Sequence, residues 1–227
     1  MQVNLVNENS VIIYFSDTVC IETTDKITHA CQLFKADLND TLLDIVPSYT
    51  SILLSCNLRK TGLRNFIFNV QRVLNQLDTA SLTNLVRNKI LLPVYYGQEV
   101  ALDHGDVSLH TGLAFSEIVK LHTQETYRVF AIGFTPGFAF LGNTPKPMTI
   151  PRKATPRLSV PKGSVAIADR QTAIYPSQSP GGWQVIGRTP IDLLDESEDS
   201  LSKFAMGDEV RFESIDKQTF LAMGGQL

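Results

Sequence analysis

The chain has 227 residues, room for one large domain or two small ones. Hydrophobic residues make up 43% and charged residues 19%, a globular composition that excludes a disordered chain. The net charge of −3 argues against a dominant nucleic-acid role, although it leaves room for a local basic patch.

Two short apolar runs, Val3 to Val6 and Val11 to Phe15, flank the turn residues NENS and read as a hairpin or a strand continued past a turn. Asp25 to Leu38 places Ile27, Ala30, Cys31, Phe34 and Leu38 at helical spacing. Leu42 to Val46 and Thr50 to Cys56 read as strands about Pro47-Ser48. Leu63 to Leu77 is the clearest helix, with Leu63, Phe66, Ile67, Val70, Val73, Leu74 and Leu77 on one stripe. Lys89 to Tyr96 is a further strand, bent or at an edge because it contains Pro93. The order strand–helix–strand–strand–helix–strand predicts a split βαβ, ferredoxin-like α/β sandwich over residues 1–95.

Past a Gly-rich loop, Gly105 to His110 and Ser116 to His122 read as two short helices about Thr111-Gly112, too poor in basic residues for a DNA-reading pair. Tyr127 to Ile132 is a strand. It leads into Gly133 to Pro190, which holds nine of the eleven prolines, the only tryptophan and Arg152, Arg157, Arg170 and Arg188. Proline removes a backbone donor and fixes φ, so this stretch predicts short strands and tight loops, not helix. Such loops suit either a small-anion site or a β-barrel whose turns need Pro and Gly. Ile191 to Leu194 reads as a strand, Asp195 to Ser200 as a solvated acidic loop, and Met206 to Val210 as a turn into a last strand. The tail from Thr219 is ambiguous.

Cys20, Cys31 and Cys56 form no CxxC or Cys/His cluster, so no zinc or other metal site is expected, and free thiols suit a cytoplasmic protein. No secretory signal or apolar run of membrane-spanning length is expected. A P-loop, a dinucleotide fingerprint, a nucleophile elbow and a biotin-attachment lysine are all missing. The pattern favours a subunit that completes its site with a partner, or a binding protein.

The motifs GFTPGF at Gly133 to Phe138, PRK at Pro151 to Lys153, PRL at Pro156 to Leu158, VPKGSV at Val160 to Val165, Tyr175-Pro176, SPGGW at Ser179 to Trp183 and GRTP at Gly187 to Pro190 closely resemble the family of 5-oxoprolinase B subunits. That family is also labelled allophanate hydrolase subunit 1, or a sporulation-kinase inhibitor family. The likeness covers about the second half of the chain. Ala168 and Ala173 stand where the family often has glycine, which puts in doubt any ligand contact those glycines allow.

The resemblance implies a cyclophilin-like β-barrel for residues 96–227 after the N-terminal domain, hence an α+β chain. It implies partnership with the C and A subunits of 5-oxoprolinase, no membrane or nucleic acid, and ATP-dependent cleavage of the small molecule 5-oxoproline (pyroglutamate) to glutamate. ATP, with Mg, is expected at a site shared with or supplied by a partner. A lactam resists hydrolysis because amide resonance must be lost; phosphorylating its oxygen makes the carbon electrophilic, and cations must hold the resulting charge. Arg152, Arg157 and Arg188 are therefore expected at one barrel mouth, either binding anions or bracing loops through carbonyls and acids. Arg157 and His122 are the catalytic candidates, His122 as a general acid/base or else a core histidine. Gln171, Tyr175 and Gln184 are candidate neutral donors to substrate, and Trp183 is core or a stacking wall. Two alternatives stay open: a binding protein that inhibits a sensor histidine kinase, and a carboxyltransferase-type subunit working with a biotinylated partner.

Overall fold

In the computed structural model, which describes residues 1–77, 87–194 and 201–227, the alternating runs at the start of the chain pair as one antiparallel sheet. Strands β1 (Gln2–Leu5) and β2 (Ser10–Tyr14) form a hairpin through NENS. Strands β3 (Leu42–Ser48) and β4 (Ser51–Cys56) complete the order β1-β2-β4-β3. Alternate residues of β4 point one way, so Ile52, Leu54 and Cys56 are all fully buried. Helices α1 (Ile21–Leu38) and α2 (Leu63–Leu74) pack on each other and bury Ile27, Ala30, Phe34, Phe66, Val70 and Val73. Helix α1 begins ahead of the expected Asp25 because the Thr24 amide and hydroxyl both donate to the Cys20 carbonyl.

The chain divides into units Met1–Arg87 and Asn88–Leu227. The expected last strand of the first sheet, β5 (Lys89–Tyr95), pairs in the second unit. The first sheet closes without it, with β1 at the edge beside β2.

The second unit is a closed seven-strand barrel. Its strands are β5, β6 (Thr126–Ile132), β7 (Ala139–Gly142), β9 (Ser164–Ala168), β10 (Gln171–Ile174), β12 (Gln184–Arg188) and β13 (Glu209–Ile215). They run in the order β10-β7-β6-β13-β5-β12-β9, with β5 and β13 parallel. A two-stranded ribbon of β8 (Arg157–Val160) and β11 (Ser179–Gly181) stands beside it. Closure removes the exposed sheet edges that a chain this rich in short strands would otherwise carry. The turn before β9 needs Gly163, whose φ is +81° and whose Cβ, if present, would meet the Thr189 carbonyl at 2.5 Å.

Helices α3 (His104–Thr111) and α4 (Phe115–Gln124) flank Gly112, whose φ of 72° ends α3. Val107 and Ile118 join the barrel core, so this pair is structural. Among the described residues, Ile191 to Leu194 forms no strand and makes one bridge, Leu194 to Ser202. The tail contains α5 (Lys217–Ala222), capped by Asp216, which accepts from the Thr219 amide at 2.7 Å. The expected acidic loop 195–200 lies outside the described residues. No described helix is long and apolar enough to cross a membrane.

Candidate functional site

Strand β9 is buried on both faces. Val165 and Ile167 fill the barrel core, while Ala166 and Ala168 point into a second cluster with Phe138, Ala173, Tyr175, Trp183 and Val185. The alanines are small, so the rings of Phe138, Tyr175 and Trp183 lie close against the strands. Ala168 and Ala173 are thus packed beneath the aromatic layer, 2% and 0% exposed.

That layer floors a cleft of about 410 Å³ lined by Phe134, Phe138, Phe140, Tyr175 and Trp183, with Arg152 at its side. Phe138 is T-shaped to Tyr175 at 5.3 Å and to Trp183 at 6.0 Å between ring centroids. Burial raises the Tyr175 hydroxyl pKa, against the lowering effect of a hydrogen bond with the Trp183 backbone and of the Arg152 and Arg157 charges. Tyr175 therefore stays neutral and can donate or accept without ionising. Phe134 is exposed and held at φ 74°, a conformation unfavourable for a residue with a Cβ.

The cations of the loop after Pro151 separate. Arg157 makes a bidentate pair with Asp103, Nη1 and Nη2 donating at 2.7 Å each. Lys153 Nζ reaches Asp103 at 2.6 Å and Asp106 at 3.0 Å. The Asp103 side chain, 1% exposed, also accepts from the Val185 amide at 2.7 Å. Burial raises its pKa, but Arg157, Lys153 and the Val185 amide outweigh this and hold it below its usual range. Two acids thus neutralise two cations. Arg152 has no carboxylate partner among the described residues; its guanidinium carbon lies 5.6 Å from the Trp183 ring centroid.

The expected mouth of three arginines is therefore corrected. Only Arg152 opens onto the aromatic cleft, Arg157 is spent on Asp103, and Arg188 lies elsewhere. Its Nε donates to the Lys162 carbonyl at 2.7 Å and its Nη1 to the Gln226 carbonyl at 2.9 Å, at a separate cleft of about 250 Å³. Gln171 sits in the β10 ladder opposite Gly142 and Ala168, away from the aromatic cleft. Gln184 lines a neighbouring cleft of about 570 Å³ that shares Arg152.

His122 is fully buried in the barrel, and burial lowers its pKa to about 3. Thr172 gives its hydroxyl proton to the Ala166 carbonyl, so its oxygen accepts from His122 Nε2 at 2.9 Å. Nδ1 then accepts from the Tyr96 hydroxyl at 2.8 Å, and the ring stacks on Phe212 at 4.4 Å. A neutral ring with both nitrogens engaged inside the core has no access to substrate, so His122 is a core residue and not an acid/base. Sequence reasoning missed Asp103, one of two acids in the loop Gly97 to Gly105, with no local pattern to mark it.

No group of three or more His, Cys, Asp or Glu side chains among the described residues is placed to hold a metal. A triphosphate does not fit the donor set around the cleft either, since Lys153 and Arg157 are already neutralised and only Arg152 is left.

Comparison with known proteins gives a consistent answer. A family model described as "Carboxyltransferase domain, subdomain C and D" matches residues 1–204. The 5-oxoprolinase B subunit of Bacillus subtilis (strain 168) is 30% identical over 230 residues, covering 97% of this chain and 95% of that protein. Its namesake in Escherichia coli O157:H7 is 45% identical over 123 residues, covering 54% of this chain and 56% of that one. The crystal structure of TTHA0988 superimposes with a TM-score of 0.80 at 30% identity over 91% of this chain, which spans 40% of that protein's length.

Proposed function

The chain belongs to the family of carboxyltransferase domains, subdomain C and D, and from that premise we propose that it is one subunit of a 5-oxoprolinase complex that opens 5-oxoproline to glutamate with ATP. The observation that carries this reading is Arg152, a cation without a carboxylate partner among the described residues, set over Trp183 beside an aromatic cleft. A small flat ring bearing a carboxylate matches such a surface: the ring packs on Phe138 and Trp183, and the carboxylate pairs with the guanidinium. The aromatic wall strips water from that pair, which strengthens it.

In this reading the chain binds and orients, while its partners, the A and C subunits, hold ATP and Mg and perform the phosphoryl chemistry. Holding the ring still supplies the positional part of the rate enhancement.

The test is co-purification with the candidate partners, followed by an assay for glutamate released from 5-oxoproline with ATP. Release is expected only when this chain is present, and Arg152→Ala is expected to lower kcat/KM about tenfold or more with assembly intact. Full turnover without this chain refutes the reading. The family's description favours one rival, carboxyl transfer, which the same preparation detects as activity dependent on a biotinylated partner.

A further inference from the structure

The loop joining β6 to β7 is pinned at its base. The Gly133 amide donates to the Phe138 carbonyl at 3.0 Å, and the Phe138 amide donates to the Thr135 carbonyl at 3.1 Å. Its tip carries Phe134, a large apolar side chain left 66% exposed. The φ of 74° strains any residue with a Cβ, where glycine would sit freely. Beside it the Thr135 hydroxyl is buried with no hydrogen-bond partner among the described residues. Buried polar groups are ordinarily satisfied, so strain and an unmet hydrogen bond fall on neighbouring residues of one loop. The Phe134 ring meets Phe138 edge-on, with centroids 5.4 Å apart, and it lines the aromatic cleft together with Trp183 and Arg152. An occupant of that cleft therefore reaches this ring directly. A cleft of about 410 Å³ has the size that takes drug-sized ligands, so a single five-membered ring fills it only if a wall moves inward. Phe138 and Trp183 are fixed in the packed cluster beneath, 2% and 4% exposed. Phe134 is the wall with room to move.

We propose that Phe134 is a specificity-determining residue whose ring folds over a small cyclic carboxylate, the acid group of which pairs with Arg152. The ligand class is an anion with a flat, uncharged ring as its body. Naming 5-oxoproline as its member rests on the function proposed above. A single aromatic floor sorts ligands weakly, because it leaves the other ring face in water. A second ring buries both faces, which favours a flat apolar body and penalises one that carries further charge. An open chain also loses rotamer freedom between two walls, whereas a closed ring has little to lose. Glutamate would bring an ammonium and a second carboxylate against the same apolar wall, so the wall that holds the ring acid releases its opened form.

The full chain, alone and co-purified with its partners, is titrated by calorimetry with three acids. They are 5-oxoproline, cyclopentanecarboxylate, which keeps ring and acid without the lactam, and hexanoate, an open-chain acid of the same carbon count as the second. Trp183 is the only tryptophan and lines the cleft, so its emission reports whether water is shut out. The wild type is expected to prefer both ring acids to hexanoate roughly tenfold, with a blue shift of emission on binding them. Phe134→Leu, which keeps apolar bulk without a flat face, and Phe134→Gly, which removes the ring and relieves φ, are each expected to lose that preference and the shift. Hexanoate affinity is expected to stay the same in both. Phe134→Gly is expected to melt no lower than the wild type, because glycine suits the backbone. A merely structural role for Phe134 lowers the melting temperature and weakens all three acids together, and overturns the proposal. Equal wild-type affinities for ring acids and hexanoate, or no binding of either ring acid to chain or complex, also overturn it, and neither result depends on a variant folding. Phe134-dependent binding of cyclopentanecarboxylate without any binding of 5-oxoproline supports the proposal and removes the 5-oxoproline reading. Unchanged 5-oxoproline turnover and unchanged ring preference in Phe134→Gly keep the 5-oxoproline reading and overturn the proposal.

Discussion

Arg152 and Arg157 share one loop and differ in fate because of Asp103, which takes one guanidinium and leaves the other to the cleft. Removing that carboxylate leaves Arg157 and the Val185 amide without this acceptor and Lys153 with Asp106 alone. Asp103→Ala is expected to cost about 2–3 kcal/mol in urea unfolding, below the fully buried range because both cations keep some hydration. The Asp103 pKa is lowered in the fold, so its contribution is complete above the ordinary value of about 4 and fades as pH falls through the lower folded value. His122 acts in a different window. Its folded pKa is about 3 against an ordinary 6.5, so its contribution is complete above about 6.5 and shrinks as pH falls towards 3, by about 1.4 kcal/mol per pH unit. Urea midpoints between about pH 7 and 4 should fall more steeply for the wild type than for His122→Asn; parallel curves would refute the buried neutral ring. Neither role is legible locally. The partners of Asp103 lie 50 to 82 residues away, and His122 looks the same in sequence whether it faces solvent or Thr172.

At the scale of elements, legibility followed periodicity. Helix α2 has a single apolar stripe, and its stripe residues Phe66, Val70, Val73 and Leu74 are the buried ones. Strand β5 was recognisable as a strand but not by partner, because alternation fixes which face is buried and says nothing of which strand lies alongside. The aromatic cleft was half legible: GFTPGF and SPGGW mark its two walls, yet their meeting depends on ribbon β8–β11 lying beside β9. Gly181 in that ribbon is where packing is tightest, since a Cβ there would overlap the Tyr175 ring. Gly181→Ala is expected to push Tyr175 towards the cleft, destabilise by about 1–3 kcal/mol and shift Trp183 emission. An unchanged melt and spectrum would mean the ribbon yields instead.

Across the whole molecule, the location of β5 decides where the chain can be divided. The sequence placed a boundary after residue 95, which assigns this strand to the first domain. In the structure β5 pairs with β13 over its full length, Lys89 to Tyr95, and meets β12 through Tyr95 and Arg188. Leu92 and Val94 point from it into the barrel core. A piece covering 96–227 therefore lacks the strand that closes the ring and leaves the β13 edge unpaired along the parallel register. A piece covering 88–227 keeps closure, core and the Asp103 cluster. The longer piece is expected to unfold in one cooperative urea transition and to retain the Trp183 environment. The shorter one is expected to show a broad transition or to aggregate through its open edge. Cooperative unfolding of 96–227 with native fluorescence would show that the ring can close without β5, and the division at 87 would have to be abandoned.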